Sequence, residues 1–266
     1  MSLYERLASR VIGTALQRPA EWLRRAKGAP FRRKHPELDE LFREDERIER
    51  VMRDAIGADT NCIDIGCHVG AYLQRILRLA PRGHHIAFEP VPHKAAWLRA
   101  KFPRVTVVEA ALDEAEDKKE FFVCPRETAL SGLHVGSVAH RETLRVQCRR
   151  LDDIVDRSKR VGFIKIDVNG GELAALRGAE LLLRRDRPLI LLGCTREGLA
   201  NHGIDADEVL DFVERAGYRI FLLKDHLSGG APLDAGAFRS SMVYPLQALN
   251  YAVVPVRSSD RSEPPL

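Results

Sequence analysis

Three short apolar runs in this 266-residue chain each deliver a carboxylate: Asp64 in CIDIGCHVGAYL, Glu89 after HIAF, and Asp167 after FIKI in FIKIDVNGGELAALRGAE. Behind Asp64 come Gly66 and Gly70 and then a helix-spaced apolar pattern. Glycines at that place let the backbone turn tightly and approach a ligand, and free amides at a helix start accept an anionic group. The spacing Asp-x-Gly-x-x-x-Gly is neither the Gly-x-Gly-x-x-Gly of dinucleotide sites nor the Gly-Lys-Ser/Thr of a phosphate loop, so NAD and ATP lose ground. Glu89 stands 25 positions after Asp64, near the distance at which an acid accepts from both hydroxyls of an adenine ligand's ribose. Asp113, in VTVVEAALD, is placed to reach an adenine exocyclic amine, with Ala111 and Leu112 flanking the ring.

These side chains need a scaffold that brings strand ends together. From residue 60 onward, short apolar runs alternate with helical stretches, the pattern of strands joined by crossover helices in a parallel sheet. The expected strands are 61 to 65, 84 to 88, 105 to 109, 162 to 167, 188 to 193, 218 to 223 and 250 to 256. Between the third and fourth, KKEFFVC and LRVQCRRL read as an antiparallel excursion. In an open α/β sheet, ligands bind beyond the carboxyl ends of the strands, near the switch in strand order. Asp64, Glu89 and Asp167 converge there if the first, second and fourth strands are neighbours.

With these features in hand, the chain resembles the FkbM-type family of S-adenosylmethionine-dependent methyltransferases over roughly residues 60 to 256. The resemblance rests on Asp64, Gly66 and Gly70, on Phe88-Glu89-Pro90, on Ala111-Leu112-Asp113, on Leu151-Asp152-Asp153, and above all on IKIDVNGGELAALRGAE. It implies an α/β fold: a Rossmann-like class I methyltransferase sheet of seven strands, the last antiparallel, with helices on both faces. It further implies S-adenosyl-L-methionine as cofactor and methylation of an oxygen, often a hydroxyl of a sugar or another metabolite. Cofactor binding then falls to Asp64, Gly66, Gly70, Glu89 and Asp113. Asp167, Glu172 and His68 are the candidates for a catalytic base or for orienting the acceptor.

The chain also departs from that pattern. Asn169 stands where relatives usually carry glutamate after Asp-Val, Gly193 where the next strand usually ends in glutamate, and Cys67-His68 where Ala-Asn is usual. Losing the acid at 193 argues against a carboxylate-bound metal, since hard cations need several oxygen ligands; no metal is expected. A catalytically impaired binding protein on the same fold is the alternative reading. Lys165, inside an apolar strand, is expected to snorkel or to pair with an acid, in a structural role.

Composition sets the remaining bounds. Hydrophobic residues make up 45% and charged residues 30%, and no apolar run approaches the ~18 residues that a membrane span requires. Glu5, Arg6 and Arg10 interrupt any leader-like stretch, so a cytoplasmic location is expected. Five widely spaced cysteines without Cys-x-x-Cys read as reduced thiols. Residues 1 to 59 form an expected N-terminal helical arm, with a docking helix over 3 to 17 and a solvated helix from Pro36 to Asp54. Residues 60 to 256 form the methyltransferase domain, and the polar 257 to 266 a disordered tail. Basic residues cluster at Arg18, Arg24, Arg25, Lys27, Arg32, Arg33 and Lys34, leaving peripheral membrane contact open. With 6% aromatics and no Asp/Asn-Pro-Pro-aromatic motif, a nucleic-acid partner is not expected; the acceptor expected is a small molecule or glycan.

Overall fold

The computed structural model describes residues 10–14, 19, 28–124, 131–134 and 141–256. Most of the expected 3 to 17 helix, Arg18, Arg24, Arg25, Lys27, the stretches 125–130 and 135–140, and the 257–266 tail lie outside the described residues.

Seven strands form the main sheet: β1 (Asn61–Ile65), β2 (His85–Phe88), β3 (Thr106–Val108), β7 (Val161–Ile166), β8 (Leu189–Gly193), β9 (Tyr218–Leu222) and β10 (Asn250–Pro255). Their order is β3-β2-β1-β7-β8-β10-β9. All pairings among the first five strands in that order are parallel, while β10 runs antiparallel to both β8 and β9. The seven expected strands and the antiparallel last strand are thus observed. A smaller sheet is made from β4 (Ala111–Leu112), β5 (Asp117–Val123) and β6 (Glu142–Arg149), with β5 and β6 antiparallel.

The central strands are apolar on both faces because both are covered. On one side, Ile63, Ile65, Ile164, Ile166, Ile190 and Leu192 pack with α4 (Glu172–Arg177), α5 (Glu180–Asp186) and α7 (Ala206–Arg215). On the other, Cys62, Phe163, Leu191 and Ala252 pack with α1 (Glu44–Ala55), α2 (Ala71–Leu79) and α8 (Leu223–Ser228). A further helix, α3 (Pro92–Lys101), joins β2 to β3, and α6 (Arg196–Asn201) follows β8.

The N-terminal region needs correcting in two respects. Pro36 to Asp54 is not one solvated helix: a 3-10 turn at Pro36–Leu38 and a short helix at Asp39–Phe42 precede α1. Nor is α1 part of a separate arm ending at residue 59. Ile48, Val51 and Met52 are buried in the same cluster as Phe163 and Leu191, so α1 is a layer of the main fold. Its exposed face is rich in charge, and Ile48 and Val51 of the expected contact side are among its buried residues. Farther upstream, Ile12 is buried with Leu73, Leu98 and Phe102, which docks residues 10–14 on the body of the molecule.

Candidate functional site

Strand order reverses at β1, whose neighbours are β2 and β7, and the carboxyl ends of these three strands carry Asp64, Glu89 and Asp167. The loop from β1 to α2 crosses the same edge. Gly66 and Cys67 donate their amides to the Phe88 carbonyl, which ties that loop to the end of β2. Gly66 has φ 75°, and a Cβ there would lie 2.1 Å from the Asp167 carbonyl oxygen, so the position requires glycine for both conformation and space. Gly70, φ 77°, caps α2 against the Phe102 ring, where a Cβ would come within 2.5 Å.

Glu89 is buried beside this loop. One of its carboxylate oxygens accepts from the His68 amide at 3.0 Å and the other from the Val91 amide at 3.0 Å. His68 is half-buried with a left-handed backbone, φ 50°, and its amide is what Glu89 grips. The acid of β2 and the histidine of the loop are therefore one unit.

Asp64 is fully buried on the sheet face that α2 covers, below the loop. Neither of its carboxylate oxygens makes a hydrogen bond. Burial pushes its pKa up to about 6; Lys165 opposes that rise and Asp167 adds to it. Lys165, opposite Asp64 in the β1–β7 register, places Nζ 3.8 Å from Asp64 Oδ1, 3.6 Å from Asp167 Oδ2 and 5.0 Å from the Tyr72 ring centre. It donates to the Gly66 carbonyl at 3.2 Å. Burial alone would lower the pKa of this ammonium, but Asp167 and Asp64 outweigh it and hold the value at about 12. The pairing expected of Lys165 is present with two acids at once. Of those two, Asp167 has a side chain 48% exposed, whereas that of Asp64 is 0% exposed. Asp167 is the one that reaches the surface.

Two of the other expected site residues have different surroundings. Glu172 is not an open carboxylate: it is buried, with Oε1 accepting from the Val168 amide at 2.9 Å and Oε2 from the Gly170 amide at 2.8 Å. Burial pushes its pKa up to about 7 against those hydrogen bonds. Through these two bonds Glu172 holds the turn that follows Asp167. Asp113 enters the small sheet directly after β4, where Lys119 donates to Oδ2 at 2.6 Å and the Glu114 amide to Oδ1 at 2.8 Å.

Asn169, noted from the sequence as a departure, and two residues that the sequence did not single out also stand near this edge. Asn169 has φ 54° and donates from Nδ2 to the Ser131 carbonyl at 2.9 Å, joining the turn after β7 to the small sheet's connecting segment. Asparagine tolerates that left-handed backbone better than glutamate does. His202 packs edge-on to His134 at 4.5 Å, and burial lowers its pKa to about 4. Glu44, from α1, accepts from the Leu249 and Asn250 amides at 2.7 and 2.9 Å. It reaches the same rim of the sheet from far away in sequence, and burial raises its pKa.

Comparison with known proteins gives the family. Residues 64–220 match the Methyltransferase FkbM domain. The chain belongs to the FkbM methyltransferase family. FkbM proteins are S-adenosylmethionine-dependent methyltransferases on a Rossmann-like sheet. Among curated proteins, the AMB antimetabolite synthetase AmbE of Pseudomonas aeruginosa is 24% identical over 214 residues, 65% of this chain. The chain spans 10% of the length of that relative. Among solved structures, an FkbM methyltransferase of Methylobacillus flagellatus KT is 17% identical with a TM-score of 0.46, over 75% of this chain and 44% of that one. SMU.1697c of Streptococcus mutans, described as a putative methyltransferase in complex with SAH, is 12% identical with a TM-score of 0.42, over 67% and 87%. The FkbM cofactor suits the side chains at this edge. Its ribose diol calls for a carboxylate acceptor such as Glu89, and its cationic sulfur for a nearby carboxylate such as Asp167.

Proposed function

We propose that this chain transfers the methyl group of S-adenosylmethionine to a hydroxyl oxygen of a small molecule or sugar. The observation that carries the proposal is the grouping of Glu89, the Gly66–Gly70 loop and the exposed Asp167 at the carboxyl ends of three adjacent strands, at the point where strand order reverses. The likeness to a segment of a protein named as an antimetabolite synthetase supports a small-molecule acceptor.

When bound, S-adenosylmethionine supplies a methyl group on a cationic sulfur. The protein's part is to hold, align and dry the site, effects worth up to about 7–11 kcal/mol when orientation is ideal. In this reading Glu89 accepts from the ribose hydroxyls, and the bare backbone at Gly66 and Gly70 lets the nucleoside lie close. Asp167 orients the acceptor hydroxyl and takes its proton as the oxygen–methyl bond forms, a contribution typically worth ~10²–10⁴-fold. His68, fixed by Glu89, borders the same edge. Glu172 keeps the turn after Asp167 in shape.

Titration calorimetry tests the first step. The parent protein binds S-adenosylmethionine, and Glu89→Ala weakens binding by at least ~10-fold, one hydrogen-bonded charged contact being worth roughly 1.5–3 kcal/mol. Absence of binding by the parent, or equal binding by the variant, refutes the assignment. A second reading, a relative that binds the cofactor without turnover, is favoured by one observation: Asn169 commits its amide to Ser131 and carries no charge. Transfer of a labelled methyl group to any compound in a hydroxylated metabolite pool eliminates that reading.

A further inference from the structure

Gly193 lies one step past the Ile166–Leu192 pair in the β7–β8 register, directly across from Asp167. A Cβ at 193 would stand 3.1 Å from the Cβ, Cγ and Oδ1 atoms of Asp167, a tight contact that the Asp167 side chain would have to relieve by shifting. On its other side, the Asp167 carboxylate meets the Lys165 ammonium at 3.6 Å. Lys165 cannot retreat, because Asp64, the Gly66 carbonyl and the Tyr72 ring surround it. The carboxylate therefore lies between a fixed cation and a bare backbone position. Asn250, the antiparallel partner of Gly193, marks the next place along the same rim.

We propose that Gly193 is a positioning residue: by lacking a side chain it lets Asp167 lie across the end of β8, with its charge aimed at the methyl-bearing sulfur of the cofactor. Any side chain at 193 would press on the Asp167 carboxylate and shift it from this orientation by a few tenths of an ångström. The inference rests on the function proposed above and adds to it the residue that sets where the Asp167 carboxylate lies.

The test needs no acceptor. Calorimetry on the intact chain measures affinity for S-adenosylmethionine, which carries the sulfur cation, and for S-adenosylhomocysteine, which does not. A carboxylate aimed at the sulfur favours the cation, and the ratio of the two affinities reads that aim. Gly193→Ala lowers the ratio several-fold, and Gly193→Val lowers it to the level of Asp167→Asn, with far-ultraviolet circular dichroism showing that each variant is folded. In the Asp167→Asn background neither change at 193 lowers the ratio further, the non-additivity expected of residues in contact. An unchanged ratio in both variants overturns the inference, as does an equal fall in the Asp167→Asn background. A parent that favours neither ligand overturns it too, while a parent that binds neither refutes the proposed function itself.

Discussion

At the scale of single residues, the site is built from buried charges whose partners are scarce, so removing one partner is felt strongly. Lys165 compensates two acids, and with Lys165→Met the fully buried Asp64 keeps no cation. Breaking a buried pair in this way typically costs about 3–5 kcal/mol, which urea unfolding at neutral pH measures. Restoring neutrality with Asp64→Asn in the same chain recovers part of that loss; equal stability of single and double variants would contradict the pairing. Glu172 gives a pH signature. Its folded pKa, about 7, lies above the ordinary 4.5, so the native state holds the proton more tightly than the unfolded chain does. Its contribution to stability is present in full at pH below 4.5 and is lost as pH rises to about 7. The stability difference between the parent and Glu172→Gln, from urea unfolding at a series of pH values, therefore narrows across that window and is level above it. A difference that stays constant with pH would show that the Glu172 carboxyl is not perturbed by burial.

At the scale of elements, much of this was legible in the sequence. The strands that carry Asp64, Glu89 and Asp167 announce themselves because doubly covered parallel strands are continuous apolar runs, and the observed ends differ from the expected ones by about a residue. Turns are harder to read. The acid at 172 looks the same in sequence whether it faces a cleft or folds back, and only the turn through Asn169 and Gly170, both at positive φ, aims two amides at it. Gly193 reads as a loss of function until register places it against Asp167. The close approach of the β1–α2 loop to the end of β7 was likewise visible only as a glycine. Gly66→Ala must abandon φ 75° and displace the Asp167 carbonyl. It is expected to lose more than ~1 kcal/mol of stability and to weaken S-adenosylmethionine binding; calorimetry and urea unfolding check both. Retention of parental affinity would mean that the loop does not need its contact with β7.

At the scale of the whole molecule, sequence and structure divide the chain differently. Charge alternation around residues 36 to 54 suggested an appendage, yet an amphipathic helix with a dense charged face still buries whatever its apolar stripe meets. In α1 that stripe meets Phe163 and Leu191 at the centre of the main sheet, while Glu44 at its start grips the β10 edge through the Leu249 and Asn250 amides. The helix thus spans from core to site rim, and its docking and the shape of the rim are coupled. An independent arm would melt by itself, leaving the stability of the sheet untouched. A layer of the fold melts with the sheet in one transition. Met52→Ala, which empties a fully buried position beneath the sheet, is therefore expected to lower the stability of the entire molecule by about 2–5 kcal/mol. The loss should be the same when followed by far-ultraviolet circular dichroism and by hydrogen exchange at Ile164 and Leu191. Exchange at those strand amides that matched the parent, beside an early loss of helical signal, would restore the separate arm.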